Sequence, residues 1–300
     1  MRVRVGDETI PYPLFTIKGR LRLSGLDDQL ISEVVDETSI RDLETEDILL
    51  EHVRESLKSF DPSILSNFEV LTDYELLRGV TSDLPAIAVI IEGASATGKT
   101  LVALELIRDL AATRFISTDT VRQVLRGILS EKKHPELFCH TYQAHKYRQA
   151  GPKNLNPIIR GFLAQFNLLF PHIETATKRV IAEGAVAVIE GVHIIPGRLQ
   201  KLSSGVIEVL INPELETHRA MFSSKHDIGK LTTVSEDKAI RRKEFEYTRE
   251  IQEYMTDEAK KAGVSTVGLG SYSEVYRDIS SLIISRVTKL YSSFKEDAAE

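Results

Sequence analysis

At 300 residues, with 42% apolar and 27% charged side chains, the chain has the make-up of ordinary folded proteins, which excludes collagenous, low-complexity and wholly disordered classes. Its single cysteine, Cys139, excludes an internal disulfide framework and a multi-cysteine zinc site, and fits a reducing compartment. The net charge of −6 divides unevenly at Pro85: residues 1–85 carry 9 Lys and Arg against 18 Asp and Glu and residues 86–300 carry 29 against 26, so no basic face for nucleic acid is evident.

The first residues, Met1-Arg-Val-Arg-Val, lack the apolar core of a signal peptide. No apolar run approaches the roughly 20 residues that span a bilayer, so a cytoplasmic protein without membrane contact is expected. Arg2 to Pro11 alternates by face and breaks at Gly6-Asp7, the pattern of a short hairpin. Apolar positions then recur at helical spacing: Leu21, Leu23 and Leu26, then Leu30, Ile31, Val34 and Val35, then Ile48 to Leu57. Three or four amphipathic helices follow from that spacing.

From Pro85 onward, short β-branched runs alternate with longer helical stretches. The runs are Ala86–Ile91, Arg114–Ser117, Ala185–Ile189, Val206–Ile211 and Val264–Val267. Helices are predicted near 99–112, 119–131, 157–183 with a break at Pro171, 213–225, 236–262 and 272–293, the fifth ending at Gly263. Continuous apolar strands with helices between them predict an α/β doubly wound parallel sheet. The change of pattern predicts two domains, 1–84 mostly helical and 85–300 α/β.

Between the first buried strand and its helix stands Gly93-Ala94-Ser95-Ala96-Thr97-Gly98-Lys99-Thr100, a complete G-x-x-x-x-G-K-[ST] phosphate-binding loop. Two glycines let the backbone curl its N–H groups toward phosphate oxygens, and the following helix presents its positive end. Lys99 then reaches the β- and γ-phosphates of a nucleotide, and the Thr100 hydroxyl ligates Mg2+.

The other strand ends supply candidates for the chemistry, because ligands in such sheets lie beyond the carboxyl ends of the strands. Asp119 is of the right type to orient an acceptor hydroxyl or to hold Mg2+; helix capping is its alternative role. Arg122 and Arg126, on the same helix, are candidates to clamp an anion, with a solvated helix face as the alternative. Glu190, ending a strongly apolar run, suits the magnesium shell or activation of the nucleophile. His193 is a weaker candidate for substrate contact. Arg241 and Arg242, in the basic stretch from Lys230 to Lys243, are candidate lid cations, whereas Arg249 has an intrahelical partner in Glu253.

Taken in order after the loop, Ile116-Ser-Thr-Asp119-Thr-Val-Arg122-Gln-Val-Leu-Arg126, Thr141-Tyr142-Gln-Ala144, Ile189-Glu-Gly-Val-His-Ile-Ile-Pro-Gly197 and Phe245-Glu-Tyr-Thr-Arg249-Glu-Ile-Gln252-Glu-Tyr254 resemble the archaeal 2-phosphoglycerate kinases. The likeness covers most of residues 86–268. It implies a P-loop kinase that phosphorylates the free hydroxyl of 2-phosphoglycerate with ATP and Mg2+ to give 2,3-bisphosphoglycerate. It also implies an N-terminal domain similar to the ATP-cone. Two departures stand out: the hairpin turn Gly6-Asp7-Glu8 is acidic where typical cones are basic, and Lys225 stands where the family tends to place an arginine. Lysine lacks the bidentate fork, so another phosphorylated hydroxy acid, such as a mevalonate phosphate, is the alternative acceptor. A non-catalytic nucleotide switch is the rival from a different class. The expected partner is a small anionic phosphorylated substrate, with no nucleic acid or membrane, and a homo-oligomer is compatible with these features.

Overall fold

The computed structural model describes residues 2–5, 8–39, 45–229 and 237–297. A two-stranded antiparallel hairpin opens the chain, β1 (Arg2–Val5) against β2 (Glu8–Pro11). The expected turn at Gly6-Asp7 lies outside the described residues. Four helices follow: α1 (Phe15–Leu23), α2 (Asp28–Ser39), α3 (Glu46–Leu57) and α4 (Pro62–Arg78). Their starts follow from local chemistry. Thr45 accepts from the Ile48 N–H at 3.4 Å to cap α3, and Asp61 accepts from the Ser63 N–H at 2.8 Å to cap α4. Pro62 takes the first position of α4, where its missing N–H leaves nothing unpaired. Ile17, Leu21, Ile31, Leu50, Val53 and Phe68 are buried together between these helices.

The second half is built on five parallel strands: β3 (Ala88–Glu92), β4 (Arg114–Ser117), β5 (Ala187–Gly191), β6 (Val206–Ile211) and β7 (Ser265–Val267). Their order in the sheet is β4-β5-β3-β6-β7. Six helices accompany them: α5 (Lys99–Asp109), α6 (Thr118–Ile128), α7 (Pro157–Ala182), α8 (Leu215–Gly229), α9 (Lys238–Ala262) and α10 (Tyr272–Asp297). Alternate residues of β3 face opposite layers. Val89 and Ile91 pack with Val102 and Leu106 of α5 and Ile279 of α10, whereas Ala88 and Ile90 pack with Leu125 of α6 and Leu169 and Ile173 of α7. Burial on both sides is why these strands read as unbroken apolar runs. Among the described residues, no helix is long and apolar enough to cross a membrane.

Helix α7 does not break at Pro171 as expected but runs through it. Proline denies the Asn167 carbonyl its helical partner, yet both residues are exposed, so water can replace that bond. Phe166, Leu169 and Ile173, all buried on the opposite face, keep the helix continuous across the gap. The periodicity also gave no notice of two 3-10 turns between α6 and α7, Pro135–Phe138 and Thr141–Lys146, which lack an apolar repeat.

One buried carboxylate joins the N-terminal helices to the sheet. Asp109, at the end of α5, accepts from Arg22 of α1 at 2.5 Å, from Arg108 at 2.9 Å and from the Tyr276 hydroxyl of α10 at 2.6 Å. Its side chain is 1% exposed. Helix α1 can lie this close only because residue 19 is glycine: a Cβ there would stand 2.3 Å from the Asp109 carbonyl oxygen. Replacing Asp109 with alanine leaves the Tyr276 phenol without its acceptor and Arg22 with Asp28 alone, with an expected loss of about 2–3 kcal/mol. Urea unfolding of the variant measures this, and Tyr276→Phe should lose only about 1 kcal/mol. An unchanged midpoint for Asp109→Ala would show that the junction is not held by this cluster.

Candidate active site

The phosphate loop occupies the connection from β3 to α5, at the carboxyl end of the central strand. Gly98 takes φ +83°, and a Cβ there would press on Leu269 Cδ2 at 3.0 Å and the Tyr272 hydroxyl at 3.2 Å. The turn therefore needs glycine for conformation and for space. Inside the loop, the Thr97 hydroxyl donates to the Ala94 carbonyl at 3.1 Å, and Lys99 Nζ donates to the same oxygen at 3.2 Å.

Three side chains from distant elements brace this loop. Gln252 of α9 accepts from the Ala94 N–H at 2.8 Å, while its own amide donates to the Ile211 carbonyl at 3.1 Å and to Asn212 Oδ1 at 3.2 Å. His218 of α8, fully buried, meets the Ser95 carbonyl through Nε2 at 2.9 Å. Lys225 of α8 donates to the Ser95 hydroxyl at 2.6 Å. The sequence marked Lys225, as standing where the family tends to place an arginine, but placed none of the three on the loop. Gln252 stands in the Ile-Gln pair that carries the family likeness, which was the available signal.

A cavity of about 410 Å³ opens beside the loop, lined on one side by Ser95, Ala96, Gly98, Lys99 and Thr100. Asp119, Arg122, His140, Thr141 and Tyr142 line it elsewhere, together with Lys225 and Tyr272. Gly93, Ala94 and Thr97, which were expected at the nucleotide, do not line it: Ala94 and Thr97 are buried and their groups serve the loop's own hydrogen bonds. Arg122 lies 3.0 Å from Asp119 Oδ1 and also donates to the Cys139 carbonyl at 3.0 Å. Glu190, at the end of β5, accepts from Thr100 at 3.3 Å and from Ser117 at 2.8 Å.

Several expected substrate contacts lie elsewhere. Arg126 donates to the Leu137 carbonyl at 2.8 Å and lies over the Phe138 ring, so it fastens a 3-10 turn instead of facing the cavity. His193 is fully buried, with Thr118 at 3.0 Å on Nδ1 and Thr141 at 3.2 Å and Gln165 at 3.1 Å on Nε2. Both ring nitrogens are engaged inside the wall, which corrects the expectation of substrate contact. Arg241 and Arg242 line a separate groove with Arg219 and Lys238, between α8 and α9. Residues 230–236 of the expected lid lie outside the described residues. Arg249 pairs with Glu253 at 3.2 Å as expected and also holds the Pro213 carbonyl.

Electrostatics follow this arrangement. Desolvation opposes ionisation of Asp119, but the cations Arg122, Lys99 and Lys225 around it outweigh that and hold the carboxyl below its ordinary range. Burial, aided by repulsion from Lys99, lowers Lys225 to about 8. Burial keeps the rings of His193 and His218 neutral, lowering them to about 3 and about 4. Glu92, just before the loop, is fully buried, and neither carboxyl oxygen meets a hydrogen-bond partner among the described residues. Burial, with Glu208 adding repulsion, raises it well above the usual carboxyl range, so it stays protonated. With Lys99, Arg122 and Lys225 against Asp119, the cavity favours anions.

Thr100, Glu190 and Asp119 present only oxygen donors, the chemistry that suits Mg2+. Among the described residues, no group of three or more His, Cys, Asp or Glu could hold a metal by itself.

No family model matches the chain. A 2-phosphoglycerate kinase of Methanopyrus kandleri is 28% identical over 263 residues, covering 86% of this chain and 77% of that protein. The 2-phosphoglycerate kinase of Methanothermobacter thermautotrophicus is 30% identical over 235 residues, covering 75% and 72% respectively. That of Methanocaldococcus jannaschii is 29% identical over 225 residues, covering 73% and 70%.

Two pH dependences follow from the buried groups. The unfolded chain protonates its histidines near the ordinary value of about 6.5, whereas the folded chain refuses those protons at His193 and His218. Stability is therefore expected to fall as pH drops from about 7 toward 4, and His193→Gln should flatten part of that fall in urea titrations. An unchanged slope would contradict the burial of the ring. Lys225 gains charge when a triphosphate approaches, so nucleotide binding takes up a proton and weakens as pH rises through about 8. Calorimetry at pH 7 and pH 9 should show this in the wild type, and Lys225→Met should bind roughly tenfold more weakly with a flat profile.

Proposed function

Because the chain belongs to the 2-phosphoglycerate kinase family and is thus a phosphotransferase, we propose that it moves the γ-phosphoryl group of ATP to the free hydroxyl of 2-phosphoglycerate, giving 2,3-bisphosphoglycerate. The observation that carries this reading is the single cavity in which Lys99 and Thr100 of the phosphate loop share a space with Asp119 and Arg122. A donor side and an acceptor side around one anion-favouring cavity are what phosphoryl transfer requires.

On this reading the loop N–H groups and Lys99 hold the β- and γ-phosphates. Thr100, with Glu190 behind it at 3.3 Å and Asp119 opposite, would hold Mg2+, which neutralises charge on the phosphate oxygens when bound. Asp119 accepts a hydrogen bond from the acceptor hydroxyl and aims its oxygen at the γ-phosphorus. As the new oxygen–phosphorus bond forms, the bond to the ADP oxygen breaks and the hydroxyl proton passes to Asp119. A carboxyl held below its ordinary range is a weak base, so Asp119 acts mainly by orientation and takes the proton late. Arg122 and Lys225 meet the negative charge that the two substrates bring together.

The test is phosphorus NMR of the purified protein with ATP and Mg2+, with 2-phosphoglycerate, 3-phosphoglycerate, glycerate or a mevalonate phosphate in separate tubes. A bisphosphoglycerate signal from 2-phosphoglycerate alone is the expected outcome. Transfer to a different compound would keep the kinase chemistry and replace the acceptor, and tight ATP binding without any transfer would favour a nucleotide switch. Lys99→Ala should lower turnover by on the order of a thousandfold with its unfolding midpoint little changed, and near-normal rates in the folded variant would remove Lys99 from the site.

A further inference from the structure

The 3-10 turn Thr141–Lys146 has no part in the reading above, yet two of its residues, Thr141 and Tyr142, line the cavity together with His140 just before it. Most polar groups of the turn are already committed to the protein. Thr141 meets His193 at 3.2 Å, the Gln143 amide donates to Glu244 of α9 at 2.5 Å, and His145 Nδ1 meets the Tyr142 carbonyl at 3.0 Å. The Tyr142 hydroxyl is different: it makes no hydrogen bond with any described residue.

Its ring, meanwhile, is closely fixed. Tyr142 is 4% exposed, stacks on His140 with centroids 5.0 Å apart and planes 7° from parallel, and meets Phe222 of α8 edge-on at 5.7 Å. It belongs to the same apolar cluster as Phe162, Phe222 and Phe245. A phenylalanine would satisfy every one of those contacts, so packing does not account for the hydroxyl, which is not among the fully enclosed polar atoms and belongs to a residue that lines the cavity. Burial, with Glu244 adding to it, pushes the phenol well above its usual range although Arg122 opposes, so the oxygen keeps its proton and is able to donate.

We propose that the Tyr142 hydroxyl is a specificity-determining contact for the acceptor, donating a hydrogen bond to an anionic oxygen of a phosphorylated hydroxy acid beside Arg122. The assignment to the acceptor follows from placement. Tyr142 lies in the segment that links α6, which carries Asp119 and Arg122, to α7, whereas the phosphate loop leads into α5 and has Tyr272 of α10 against Gly98. The inference rests on the kinase reading above and adds to it a residue that distinguishes acceptors with a second anionic group from simple alcohols.

The test is Tyr142→Phe in the full chain, which removes one oxygen and keeps the ring. The Michaelis constant for 2-phosphoglycerate is expected to rise about tenfold, equivalent to about 1.4 kcal/mol, with that for ATP within twofold and the thermal midpoint unchanged or higher. A constant for the acceptor that stays within twofold, or one for ATP that rises in step, overturns the proposal. Should the wild type phosphorylate another compound of the panel, the substrate of the kinase reading is what fails, and the same comparison on that compound decides the role of Tyr142. Should the wild type phosphorylate none, both readings fall together.

Discussion

A loop that turns several main-chain N–H groups toward one point gathers like dipoles, and they repel one another until an anion fills the space. The short segment between Glu92 and Lys99 has to hold that shape in advance of any ligand, and much of the molecule is placed so that it does. Gly98 supplies the left-handed turn at φ +83°. Thr97 ties the loop across its own base, and Gln252 and His218 reach in from α9 and α8 to engage the Ala94 N–H and the Ser95 carbonyl. These bonds span up to 158 positions of sequence, so the loop takes its shape from the whole α/β half.

The two carboxyl groups at neighbouring strand ends show how environment divides roles between like residues. Glu92 is fully enclosed, with Glu208 adding repulsion, and remains neutral, so it adds no negative charge beneath the loop. Glu190 accepts hydrogen bonds from Thr100 and Ser117, the donors that a charged carboxylate requires. Only the second is equipped to face a cation.

The strands, the helices and the phosphate loop were legible because each rests on local pattern: β-branched runs, helical spacing and a motif with fixed offsets. That Asp119, Arg122, Lys99 and Thr100 line one cavity was legible for the same reason, since position at a strand end or helix start is encoded nearby. Arg126 and His193 were misread because local sequence does not say whether a side chain faces a cavity or the turn behind it. Arg126 lies four residues, about one helical turn, beyond Arg122, yet its partner is the Leu137 carbonyl on a segment without any apolar repeat. Lys225 and Gln252 were noted, but their hold on the loop was not legible, for the opposite reason. Their meaning depends on Ser95 and Ala94, more than a hundred residues away.

The junction at Asp109 ties two events into one free-energy balance. Helix α5 carries the phosphate loop at its first turn and the Arg22–Asp109–Tyr276 cluster at its last, and its 11 residues form a single rod between them. Were binding at the loop end to shift α5, it would alter how well α1 seats at the other end. By reciprocity, whatever grips or releases α1 must change the affinity of the loop for its anion by the same factor. The N-terminal helices would then be a second handle on whatever the loop holds, without touching it.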